Sequence, residues 1–109
     1  MMRKPELLVP LSGFFKEVYD RGLDEVRYSV FSVERKFSDY SLPISYIRFT
    51  AYDPKQDIIV YSQISLGTKF DTDEVHKNLE NTLNWAKEQI AKLQSNIILK
   101  EGEWTREIL

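Results

Sequence analysis

A single stripe of apolar residues constrains this chain more than any other feature. From Asp71 to Asn96, and on to Ile97, residues Leu79, Leu83, Ala86, Ile90, Leu93 and Ile97 recur at spacings of four and three. That rhythm places them on one face of an α-helix. The start is marked as clearly. Asp71 is the N-cap whose carboxylate meets the free amides of the first turn, with Glu74 as its reciprocal partner in a capping box. Phe70 and Val75 stand at the two staple positions, and Asp73 and Glu74 complement the positive end of the helix dipole. A helix of about 26 residues is roughly 39 Å long. A domain of this size has a radius of gyration near ~13 Å, so the C-terminal part of the helix is expected to overhang the body it packs on.

The remaining elements are read against that helix. Residues 5 to 11 form an apolar lead-in that Pro10 prevents from continuing as a helix interior. Ser12 reads as an N-cap for a short helix carrying Phe14, Phe15, Val18 and Tyr19, with Gly22 as its stop. Three strand-like runs follow: Val26 to Phe37, Ile44 to Tyr52, and Asp57 to Leu66. The first alternates imperfectly, which predicts a bulge or burial on both sides. The turn Asp53-Pro54-Lys55-Gln56 joins the other two as an antiparallel hairpin. Ile97-Ile98-Leu99 either prolongs the long helix or begins a short strand, and Gly102 breaks whatever precedes it. The expected fold is α+β: a short N-terminal helix, a three-stranded antiparallel meander and a long C-terminal helix packed on one sheet face, a two-layer α/β sandwich. Residues 1–109 read as one domain, with 1–11 as the lead-in and 97–109 as a C-terminal tail.

Period-two alternation assigns the hairpin faces. Ile47, Phe49 and Ala51 with Ile58, Val60, Ile64 and Leu66 form the apolar side, where the long helix belongs. The opposite side presents Tyr46, Arg48, Thr50 and Tyr52, then Ile59, Tyr61, Gln63 and Ser65. Its rings and guanidinium both stack and hydrogen-bond. Three fates are open to it: a solvated face, a second core layer under the first helix, or a binding surface built from Tyr46, Arg48, Tyr52, Tyr61 and Gln63. Trp85 lies about 200° around the helix from Leu83, so one sheet face does not bury both. Trp85, Ile90, Leu93, Ile97 and Trp104 therefore compose a surface for self-association, unless the tail folds back over Trp85 within one subunit.

Composition narrows the function classes. The chain has no cysteine, which removes disulfides, thiolate metal sites and cysteine nucleophiles. The N-terminal apolar run is too short for a signal peptide, and no window approaches the ~18 apolar residues of a membrane span. A soluble, cytoplasmic protein with no membrane partner is expected. Net charge is −2. Val26 to Leu66 carries five basic and four acidic residues, and Asp71 to Asn96 three and five. No basic block offers a footprint for nucleic acid.

Chemistry-bearing constellations are sparse. His76 is the one histidine, and the four glycines stand singly, so neither a catalytic triad nor a phosphate loop is expected. Asp71, Asp73 and His76 lie close in sequence, yet dipole preference and a position beside the apolar stripe account for them without a metal. The helix, three strands, helix order is similar in topology to the double-stranded-RNA-binding domain. That family holds phosphates with lysines at the start of its second helix, whereas Thr68 to Lys77 here carries Asp71, Asp73 and Glu74, so RNA binding is not implied. The expected function is a non-catalytic protein–protein interaction module without cofactor or metal: a self-associating (dimeric) regulator, adaptor or assembly protein that also contacts another protein. The alternative is single-stranded nucleic-acid binding through the Tyr/Arg face.

Overall fold

A computed structural model describes residues 6–109. The elements run β1 (Glu6–Leu8), α1 (Leu11–Asp20), β2 (Glu25–Lys36), β3 (Ser41–Asp53), β4 (Ile58–Thr68), α2 (Thr72–Lys92) and β5 (Ile98–Glu101). All strands join one sheet in the order β1-β4-β3-β2-β5. β2, β3 and β4 pair antiparallel, while β1 is parallel to β4 and β5 is parallel to β2. The α+β class holds, but the expected three-stranded meander is the centre of a five-stranded mixed sheet. The lead-in supplies β1, its residues 1–5 lying outside the described residues, and the tail begins with β5. These additions have three and four residues, too few to carry a periodicity of their own. Main-chain bonds hold them, including Val9 N–H to Tyr61 O and Ile98 N–H to Asp24 O.

The topology decides where the helices lie. β1–α1–β2 and β4–α2–β5 each connect parallel strands, each passes over two others, and both move across the sheet in the same direction. Crossovers of this kind strongly prefer one hand. Equal hand and equal direction put both helices on one face. α1 therefore does not cover the tyrosine side. It joins α2 on the apolar side, where Phe14, Phe15 and Phe49 make mutual ring contacts at 5.3–6.1 Å and Phe15 meets Trp85 at 5.8 Å. Ile47, Phe49, Ala51, Val60 and Leu66 are buried there, in the register read from the alternation. Ile58 is half-buried, and Ile64 lies at the margin.

Local details correct several expectations. α1 begins after Pro10 with no side-chain cap, so Ser12 lies inside the helix. It ends as expected at Gly22 (φ 72°), with Leu23 N–H bonded to Val18 O and Gly22 N–H to Tyr19 O, the Schellman pattern. α2 begins as expected, Asp71 Oδ1 accepting from the Glu74 amide at 3.0 Å. Phe70, however, is 75% exposed and staples nothing. α2 stops at Lys92, four residues short of Asn96, because Gln94 takes a left-handed conformation at φ 51°. Its 21 residues span about 31 Å, less than the roughly 36 Å of 11-residue β4. No overhang remains. β2 has neither the bulge nor the burial on both sides expected of it, since it pairs with β3 without a slip and is mostly exposed beyond Ser29. The bulge is in β4, where pairing with β3 slips between Ser45 and Tyr46 and Leu66 is the extra residue. Pro43 is inside β3, beyond the last β4 pair, so its missing N–H interrupts no ladder. Among the described residues no helix is long and apolar enough to cross a membrane.

Candidate functional site

The second sheet face carries no helix. Arg27, Ser29 and Phe31 of β2 share it with Tyr46, Arg48, Thr50 and Tyr52 of β3 and Ile59, Tyr61 and Gln63 of β4. After β5, Gly102 (φ 129°) turns the chain beneath the sheet, a conformation that glycine alone adopts without strain. Residues 103–107 then run back across the face. Glu103 meets Arg48 at 3.0 Å, the Trp104 amide donates to Thr50 Oγ1 at 3.0 Å, and Arg106 reaches Asp57 at 2.7 Å. The Arg27 guanidinium lies 3.7 Å from the Trp104 ring centroid, with Tyr52 on another side of that ring. Thr50 and Ile59 are each only 2% exposed on this face. The tail is a strap over the lower half of the sheet.

Each expected site residue has a definite place. Tyr46 stacks on Phe31 at 5.6 Å and accepts a hydrogen bond from Arg35. Arg48 donates to Gln63 as well as Glu103, and its guanidinium is 4.7 Å from the Phe31 ring centroid and 5.6 Å from that of Tyr61. Tyr52 lies under the strap and donates to Asp57 at 2.8 Å. That bond, reinforced by burial, pushes the phenol above its usual pKa. Arg48, Tyr61 and Gln63 border a pocket of about 480 Å³ whose other wall is the strap. Its charges are mixed: Arg48 and Arg106 stand among Glu6, Glu103 and Glu107. The arrangement stacks rings, donates hydrogen bonds and pairs charges.

The residues expected to self-associate are distributed over both sides of the sheet. Trp85 is edge-on to Phe15, Ile90 and Leu93 pack against the core, and Ile97 is buried in it. Trp104 is on the opposite face. The two tryptophans do not meet, and the tail folds back onto the sheet rather than over Trp85. Alternation alone placed Tyr46, Arg48, Tyr52, Tyr61 and Gln63 on one face. It missed Arg27, Phe31, Glu103, Trp104 and Arg106 as members of that face. Arg27 and Phe31 were within reach of the same period-two rule, had β2 been taken as regular. Nothing local in Glu103 to Arg106 announces which face the strap crosses. Compared with known protein families, curated proteins and solved structures, the chain matches none.

Proposed function

We propose that this protein is a non-catalytic protein–protein interaction module that self-associates as a dimer and serves as an adaptor, regulatory or assembly subunit, with the unstrapped upper half of its second sheet face as the surface for another protein. One observation carries this reading: a group of exposed apolar side chains stands together at the free end of the β2–β3 ribbon, next to the stacked rings. Val33 (44%), Phe37 (45%) and Tyr40 (58%) stand open there, with Val33 and Phe37 in the same alternation as Phe31 of the Phe31–Tyr46 stack, next to Arg48 and Tyr61. Rings and arginine, with few other charges, are the composition of protein contact surfaces. A cytoplasmic setting without cofactor is part of the proposal. Sedimentation velocity at micromolar concentration tests it, with a dimer as the expected result and a clean monomer as the contrary one.

The alternative, single-stranded nucleic-acid binding, draws on the same stacked rings. It is disfavoured because Arg48 is paired with Glu103, and Glu6 and Glu107 border the pocket beside it. Retention on a single-stranded oligonucleotide that falls steeply with salt would reverse the ranking. Submicromolar affinity at physiological salt would do the same.

A further inference from the structure

The outer edge of β2 is paired with β5 only as far as Tyr28, whose carbonyl accepts from Gly102 as the chain turns under the sheet. From Val30 to Lys36, no strand among the described residues lies on that edge. Asp24 and Tyr28 both give their carbonyls to the β5 side. By strand alternation, Val30, Ser32, Glu34 and Lys36 therefore direct their N–H and C=O groups outward. The ribbon is mostly exposed here.

We propose that a second copy of this chain pairs antiparallel with this edge about a two-fold axis through Val33, joining the two sheets into one. The axis of such a pair stands perpendicular to the sheet, so the helices of both copies lie on the same side and facing residues share parity. Val33 then faces Val33 of the second copy, Ser32 faces Glu34, Phe31 faces Arg35 and Val30 faces Lys36. No like charges are directly opposed. The two Glu34 carboxylates sit diagonally across the axis, and each Phe31 ring gains a guanidinium neighbour. Neighbouring registers are worse. An axis at Ser32 sets Lys36 against Tyr28, already bonded to Gly102, and an axis at Glu34 brings two carboxylates face to face. The ribbon also ends where it must. Phe37 N–H bonds Tyr40 O, so the chain turns back before it reaches the β5 of the second copy. The register makes about eight new main-chain hydrogen bonds.

Edge pairing rests on the self-association proposed above, and sedimentation separates the two. The wild type is expected to be dimeric at micromolar concentration. Glu34→Pro removes one outward N–H and leaves the bonds to β3, which come from the odd-numbered residues, in place. It is expected to weaken the dimer at least ~10-fold, with an unchanged circular dichroism spectrum. Val33→Cys introduces the one thiol of a cysteine-free chain. Non-hydrogen-bonded antiparallel pairs hold their Cα atoms ~4.5 Å apart, within disulfide reach, so mild oxidation is expected to give a covalent dimer. Tyr40→Cys, beyond the paired edge, is expected to give none. A monomeric wild type overturns both self-association and the edge. A dimer that survives Glu34→Pro, with Val33→Cys cross-linking no faster than Tyr40→Cys, overturns the edge alone. If Glu34→Pro does not fold, the cysteine pair decides.

Discussion

The two faces of the sheet are closed by different physics. The helix side is closed by apolar burial, with Phe14, Phe15, Val18 and Phe49 packed under α1 and α2. The other side is closed by a strap of five residues held by two ion pairs, one side-chain acceptor and a guanidinium over a ring. Burial of apolar area has no charge for salt to screen. Exposed and half-exposed ion pairs are worth little and are screened. The helix side should therefore carry most of the folding free energy, and the strapped side should be the part that opens first.

The strongest way to break this contrast is Phe49→Ala. Its ring is fully buried and touches two others, and truncation is expected to cost about 3–5 kcal/mol in chemical denaturation. A loss below ~1 kcal/mol would remove the helix side from its leading role.

Next comes Asp53, on the helix side where α1 meets the β3–β4 turn. Burial by itself raises its pKa. The Arg21 guanidinium at 2.9 Å and the amides of Lys55 and Gln56 outweigh burial and hold the carboxyl below its ordinary value. A depressed folded pKa stabilises above the unfolded value of about 3.9, and that contribution is lost as pH falls through the folded value. Asp53→Asn is expected to cost about 1–3 kcal/mol at neutral pH and to flatten the acid limb of stability against pH. An acid limb identical to the wild type would place the titration elsewhere.

Trp104→Ala probes the strap. Expected here are a loss of about 1–2 kcal/mol, mostly the ring's contact with Arg27, and faster tryptic cleavage after Arg106. A cost equal to that of Phe49→Ala would abolish the difference between the faces. The smallest effect belongs to Glu103→Gln, about 0.2–1 kcal/mol. It is expected to shrink between about 0.05 M and about 0.5 M salt. A salt-independent loss would mean that the Arg48 pair is not screened as its exposure implies.

Much of the fold was legible because its signals are local. The Asp71 cap, the Gly22 stop, the Asp53-Pro54 turn and the faces of β3 and β4 depend on residues within one turn or one strand. The C-terminal end of α2 was not legible. Gln94 takes the left-handed conformation usually given to glycine, and no local rule singles it out. The face shared by Tyr46, Arg48, Tyr52, Tyr61 and Gln63 was likewise readable from alternation, but its division into a strapped and an open half was not.

The sequence by itself determined two helices with apolar stripes, a central antiparallel meander and one amphipathic face, because propensity, capping and periodicity act over a few residues. Tertiary structure decided the rest. Crossover handedness sent both helices to one side, short strands gained meaning only by docking on existing edges, and Gly102 aimed the tail at the face left bare. Those outcomes depend on contacts between residues more than twenty apart, such as Arg48 with Glu103 and Asp57 with Arg106, and no local pattern encodes which distant surface a segment will meet.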